Sequence, residues 1–161
     1  MTTITKEILK NLDEKDKKLL AMLQYDSRKS LTQLSREVGL SIDSTHKRLK
    51  RLRKEGILYF RGLVDPVKIG YPLTVDIYIK LQNITEEDYE KFINYLKKHP
   101  RVTSLLSVMG DYDIICVLMT KSASESEEIS RKIRQTFSHL IADWKSMFVV
   151  KVHKFEEYTF V

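Results

Sequence analysis

One cysteine, one tryptophan, three prolines and five glycines are all that this 161-residue chain holds of the residues that staple, anchor, kink or loosen a fold. Each scarcity excludes a class of protein. Cys116 cannot close an internal disulfide, and His46, His99, His139 and His153 lie too far apart for a local zinc cluster, so neither scaffold is expected. Little glycine and proline excludes a fibrous or low-complexity chain. The longest unbroken apolar run, Ile114 to Met119, falls far short of the roughly 20 residues that span a bilayer. Lys6, Glu7 and Lys10 interrupt any secretory start. A soluble protein of a reducing cytoplasm, with no membrane partner, is expected. With 42% apolar residues the chain is not disordered, and its length suits one medium domain or two small ones, not a large catalytic barrel.

What is present is charge, unevenly placed. Residues 1–62 carry 15 Lys and Arg against 8 Asp and Glu, net +7, whereas 63–161 carry 13 against 14, net −1. Nearly all of that asymmetry lies between Asp43 and Lys54, where Lys47, Arg48, Lys50, Arg51, Arg53 and Lys54 face one acid, Asp43. A basic run is often only a solvated helix face, so the surroundings must decide.

Those surroundings read as three helices. Asp13 precedes a stripe of Leu12, Leu19, Leu20 and Leu23 that closes near Asp26, with a possible backward extension through Ile8 and Leu9. Ser30 with Gln33 is a capping-box pattern, and Leu34 and Val38 precede Gly39, a residue able to end a helix in the left-handed conformation. Ser41 then caps a third helix with an inward stripe of Thr45, Leu49 and Leu52, ended by Gly56. Asp43, Ser44, His46, Lys47, Lys50, Arg51 and Lys54 fall on or near its outer face. Two helices joined by a tight turn, the second basic outside, form the arrangement that lays a recognition helix in a DNA major groove. The candidate DNA contacts are Ser41, Asp43, Ser44, His46, Lys47, Lys50, Arg51, Lys54 and Arg61. Lys47, Lys50 and Arg51 are expected to dominate affinity through phosphate, while Ser44 and His46 sit where base edges are met. Ile57 to Val64 has strand propensity, which suggests a two-stranded wing or an interdomain strand.

Asp65-Pro66 and Gly70-Tyr71-Pro72 bracket a linker. Beyond it, Leu73, Val75, Ile77, Ile79 and Leu81 alternate with polar residues as a strand, and Thr85 caps a helix with Tyr89, Phe92, Ile93 and Leu96 buried. Val102–Met109 and Tyr112–Met119 read as strands joined at Gly110-Asp111, Ile129, Ile133 and Phe137 mark a helix, and Ser146–Lys154 reads as a last strand. This order is the ferredoxin-like βαββαβ unit, with helices on one sheet face only. Tyr78, Leu105, Ile115, Val117 and Met119 suggest that the other face is too apolar to stand in water, so pairing with a second subunit is expected. A two-fold dimer would present two recognition helices to a pseudo-palindromic operator in double-stranded DNA.

Several segments in order carry a family resemblance: Leu12-Asp13-Glu14-Lys15-Asp16, Leu34 through Ser41, Arg48-Leu49-Lys50-Arg51-Leu52 with Glu55-Gly56-Ile57, Val64 through Gly70, Met109-Gly110-Asp111-Tyr112-Asp113 and Val149-Val150-Lys151. From about Leu12 onward the chain resembles the Lrp/AsnC feast/famine transcriptional regulators. The resemblance implies an α+β protein, with a winged-helix-type helix-turn-helix domain at 1–62, a linker at 63–72, and a ferredoxin-like (RAM) effector-binding and oligomerisation domain at 73–161. It also implies homodimers, octamers or other higher oligomers, and an amino acid or related small effector controlling metabolic genes. The implied effector residues are Met109, Gly110, Asp111, Tyr112, Asp113, Trp144 and Ser146. Trp144 and Ser146 stand where the family usually offers two hydroxyl residues, and a Trp there would fill space an effector needs. A plainer alternative has Gly110 serving a tight turn while Asp113 caps backbone amides.

Asp111 and Asp113 pair two carboxylates at a strand end, but a hairpin tip promises neither a pocket nor a shifted pKa, and no phosphate loop or metal-ligand spacing is present. Siroheme decarboxylases resemble these regulators in layout but use His and Arg near the corresponding hairpin. Ser107 to Tyr112 contains neither. No enzymatic activity and no cofactor are expected.

Overall fold

Side-chain caps set where each helix of the amino-terminal part begins. Asp13 accepts the Asp16 N–H at 2.8 Å and the Asp16 carboxylate accepts the Asp13 N–H at 3.3 Å, a reciprocal box opening α1, Glu14–Tyr25. Ser30 and Gln33 repeat the device at α2, Leu31–Val38. Gly39, at φ 71° and ψ 50°, ends α2 in the left-handed region that glycine enters without a Cβ clash. Ser41 caps α3, Ile42–Lys54. The Lys15 and Lys18 ammonium groups donate to the carbonyls of Val38 at 2.6 Å and Glu37 at 2.5 Å, satisfying orphan acceptors at the end of α2. Leu19, Leu23, Leu34 and Val38 form a small core with Met22, Leu40, Leu49 and Leu58 around it, and Thr45 and Leu52 are buried on the inner side of α3.

The computed structural model describes residues 12–159, so an extension of α1 through Ile8 and Leu9 lies outside the described residues. The chain divides into two compact units, one holding residues up to Leu63 together with those from Lys154, the other Val64–His153. Ile57 to Val64 forms no strand, contrary to the wing expected from its composition. A strand needs a hydrogen-bonded neighbour, and no strand among the described residues pairs with this segment. Tyr59, Leu63 and Val64 are left exposed.

In the second unit, β1 (Leu73–Leu81), α4 (Glu86–Lys98), β2 (Val102–Ser107), β3 (Ile114–Thr120), α5 (Ala123–Thr136) and β4 (Ile141–Phe148) follow in the βαββαβ order. The sheet is antiparallel with strand order β2-β3-β1-β4. Val75, Ile77, Ile79 and Leu81 of β1 join Phe92 and Leu96 of α4, Ile114, Cys116 and Leu118 of β3, and Ile133, Phe137 and Leu140 in one core. Phe92 and Phe137 meet edge to face at 4.9 Å. Burial pushes the Cys116 thiol up to about 12, so it packs as a small apolar group.

Two strand assignments change. The last strand is Ile141–Phe148, not Ser146–Lys154. Its register against β1 runs from Ile141 opposite Leu81 to Phe148 opposite Val75, the Val149 N–H donates to the Thr74 carbonyl at 2.9 Å, and β1 begins at Leu73, so a strand running on to Lys154 would outrun its partner. The hairpin is also wider than a Gly-Asp turn: β2 ends at Ser107, β3 begins at Ile114, and the Val108 N–H donates to the Asp113 carbonyl at 2.9 Å. Leu105 pairs with buried Cys116 and packs into the helix-side core, so it does not belong to the open face. That face carries Tyr78, Ile115, Val117 and Met119 as expected, with Leu106 and Met147 added by register.

Candidate nucleic-acid interface

Six cations lie between Lys47 and Lys54, and the structure sorts them into two groups. Lys47 pairs with Asp43 one turn earlier at 2.8 Å, both side chains largely exposed, and that contact raises the lysine's pKa. Arg48 donates to Asp13 Oδ2 at 2.7 Å and to Asp16 Oδ1 at 2.9 Å, and Arg51 pairs with Asp16 Oδ2. Arg51 therefore reaches toward α1 while its side chain stays 36% exposed beside Lys47, Lys50 and Lys54. Its guanidinium reaches the Asp16 carboxylate, which is 1% exposed and needs a cation there. The Asp13 carboxyl is held below the usual carboxylate range, first by the Asp16 N–H and then by Arg48.

Lys50, Arg53 and Lys54 make no ion pair among the described residues. With His46 and Arg61 they line a groove of about 710 Å³ between α3 and the Leu58–Arg61 segment, whose floor includes Leu49, Tyr59 and Phe60. Among the described residues no acid lines it. Arg53 lies over the Phe60 ring at 5.6 Å and Arg61 over Tyr59 at 5.9 Å. Arg53 was not among the residues expected from sequence. The signal was there in the spacing of His46, Lys50, Arg53 and Lys54, one stripe at helical period.

Ser41 and Ser44 are partly committed to the cap. Ser41 Oγ accepts the Ser44 N–H at 3.1 Å and donates to Ser44 Oγ at 2.9 Å. His46, next on the outer face, is exposed.

The expected effector residues divide by sheet face. Met109 stands fully exposed at the hairpin, and Gly110, at φ 152°, has open space around it. Asp111 is exposed as well. Asp113 closes the hairpin onto β1: its N–H donates to the Ile79 carbonyl at 3.0 Å and its Oδ2 accepts the Leu81 N–H at 2.7 Å. Capping of backbone amides is thus one role of Asp113. Tyr112 meets Tyr78 edge to face at 5.7 Å and donates to Asp143 Oδ2 at 3.2 Å. Trp144, opposite buried Ile79, lies on the other face, packs against the helix-side core and donates from its indole to Ser146 Oγ at 3.0 Å. A pocket of about 310 Å³ beside it is lined by Arg134, Ser138, Ile141, Ala142, Asp143 and Trp144, not by the hairpin.

A helix-turn-helix with a cationic second helix, followed by a ferredoxin-like unit with one open sheet face, defines a DNA-binding regulator with a separate sensing or assembly domain. A winged helix-turn-helix DNA-binding family model matches residues 12–59, and the Lrp/AsnC ligand binding domain model matches residues 74–158. The DNA-binding transcriptional activator DecR of Escherichia coli (strain K12) is 34% identical over 145 residues, covering 89% of this chain and 95% of that protein. The HTH-type transcriptional regulator FL11 of Pyrococcus furiosus is 32% identical, covering 89% and 92%. Among solved structures, a transcriptional regulator of Neisseria meningitidis in complex with L-Met superposes with a TM-score of 0.81 at 26% identity, covering 90% of this chain and 94% of that one. The chain belongs to the Lrp/AsnC family and is a DNA-binding transcriptional regulator. No helix among the described residues is long and apolar enough to cross a membrane.

Proposed function

We propose that α3 reads a pseudo-palindromic operator in the major groove, that residues 1–62 are the DNA-binding domain, and that 73–161 assemble the protein and hold a small effector. The observation that carries the reading is the acid-free groove in which Lys50, Arg53, Lys54 and Arg61 converge beside His46. Such a groove follows a phosphate backbone, while Ser41, Asp43, Ser44 and His46 at the start of α3 face base edges. Lys47 contributes from the same side, and Arg51 acts chiefly from within the fold. The open sheet face pairs with a second copy, further assembly builds octamers or related oligomers, and the protein works in the cytoplasm, on metabolic genes, without enzymatic activity.

The effector reading places an amino acid at the 109–113 hairpin, with Trp144 and Ser146 shaping the neighbouring strand. Exposed backbone around Gly110 suits a carboxylate, and the Asp113 carboxylate suits an α-amino group. The L-Met bound by the Neisseria regulator supports an amino acid as the ligand class.

Selection of binding sites from random duplexes, followed by salt titration, tests the central reading. Lys50→Ala should weaken binding to every sequence and flatten the log-affinity slope by about one, the signature of one lost phosphate contact. An unchanged slope puts Lys50 off the DNA. Calorimetry with the twenty amino acids on wild type and Asp113→Asn tests the effector site, which fails if binding is undiminished in the variant.

A further inference from the structure

Among the described residues Asp16 is the most deeply buried acid of the DNA-binding unit, 1% exposed, and its two oxygens serve two tasks at once. Oδ2 accepts the Asp13 N–H at 3.3 Å and so completes the box that starts α1. The same carboxylate takes Arg48 on Oδ1 and Arg51 on Oδ2. Asp13 closes the arrangement, capping the Asp16 N–H while its Oδ2 takes Arg48. A four-residue motif on α1 therefore grips α3 through two guanidiniums, one turn apart on the recognition helix.

Two physical effects follow. A carboxylate fixed by a helix cap cannot swing, so the fork of hydrogen bonds sets the rotation and tilt of α3 against α1. The grip also engages the charge of Arg48 and Arg51, whose side chains stay 28% and 36% exposed, so that the groove cations and Lys47 carry more of the charge offered to phosphate. Sequence-independent affinity rises with every cation that reaches phosphate, whereas discrimination depends on the exact placement of base-reading side chains. Pairing two arginines with a buried carboxylate therefore lowers indiscriminate binding and fixes the placement that specific binding needs.

We propose that the Asp13–Asp16 motif is a specificity-determining positioning device, which sets the recognition helix and weakens the pull of two arginines on phosphate. The proposal rests on α3 being the recognition helix. Asp16 touches no DNA in it and acts through Arg48 and Arg51.

The test uses the full chain, a duplex recovered by binding selection and a random-sequence duplex, each titrated over salt, with helical circular dichroism as the fold control. In Asp16→Asn the preference for the selected duplex should fall about tenfold, the discrimination of roughly one well-read base pair. The salt slope should steepen by about one as a released guanidinium finds phosphate. A folded Asp16→Asn with preference and slope both unchanged overturns the proposal. So does a parallel loss of both affinities at unchanged slope, which is all that simple loss of stability would produce. Arg48→Gln removes the cation that bridges the Asp13 and Asp16 carboxylates through its Nη1, and its preference should fall about threefold. Should Asp16→Asn not fold, that variant decides, and an unchanged preference in it overturns the proposal. Lys50→Ala, measured alongside, separates the two readings: if it fails to flatten the slope, the groove reading fails, while the Asp16→Asn comparison still stands or falls on the preference ratio.

Discussion

The two units of this protein reach order by different means. The ferredoxin-like unit is built on one continuous apolar core that runs from Val75 to Leu140 and involves both helices and the central strands. The helical unit has a core centred on Leu19, Leu23, Leu34 and Val38, and relies for the rest on caps, lysine-to-carbonyl contacts and the buried Asp16 with its arginines. The lesson is that a DNA-reading unit must keep one side of each helix charged, so polar contacts replace part of the apolar burial that the sensing unit can use freely.

The largest effect is expected from cutting into the larger core. Phe92→Ala should destabilise the second unit by about 3–5 kcal/mol, because a ring packed against Phe137 and the sheet leaves a cavity. Denaturant unfolding followed by near-ultraviolet circular dichroism reads it, and a loss under ~1 kcal/mol would show the core to be far more adaptable than its packing implies. A charge on the open sheet face comes next. Val117→Lys should weaken self-association about a hundredfold, ~3 kcal/mol, without unfolding the protomer. Sedimentation velocity across micromolar concentrations checks it, and an unaltered dimer would place the interface elsewhere.

In the helical unit the expected effects are smaller and local. Ser30→Ala removes the oxygen that accepts the Gln33 N–H at 3.2 Å and should cost ~1 kcal/mol, read by thermal unfolding and by a parallel fall in DNA affinity. A fall in stability confined to the sensing unit would contradict the division into two units.

The smallest effects are in pH, and they separate the units by window. His99 in the second unit is held below its ordinary value of 6.5, first by burial and then by Arg101 and Lys132. The unfolded chain therefore binds that proton more readily, so this contribution to stability declines as pH falls through 6.5 and levels off below the folded value. Asp13 in the helical unit is depressed, so its contribution is complete above 3.8 and is lost only as pH falls through the lower folded value. His99→Gln should flatten the stability profile near pH 6 while leaving the acid limb unchanged, measured by urea unfolding at stepped pH.

Much of the fold was legible because it is specified locally. Capping residues at Asp13, Ser30, Ser41 and Thr85, the left-handed Gly39 and the alternation of β1 all act within a few residues of themselves, and the corresponding elements stand where the sequence predicts. The last strand differs from the sequence expectation because alternation persists past Phe148, while strand length is limited by the partner β1, which begins at Leu73. Leu105 was put on the wrong sheet face for a related reason: β2 shifts register against β3 between Val102 and Ser104, and a one-residue shift exchanges faces. Trp144 shows the same limit at the candidate effector site, since its pairing with Ile79 turns the indole to the helix side.

By itself, then, the sequence determined which segments are helices, the βαββαβ order, the concentration of positive charge on α3 and the membership in a family of regulators, all properties carried by neighbouring residues or by their order. Only the tertiary structure decided which cations face outward. Arg48 and Arg51 are as basic as Lys50 and Arg53 in the sequence, but a carboxylate thirty-two and thirty-five residues away, buried at the start of α1, draws the first two inward. The second two line the groove. Charge is a property of the residue, while its availability to a phosphate depends on which opposite charge the fold has brought within reach.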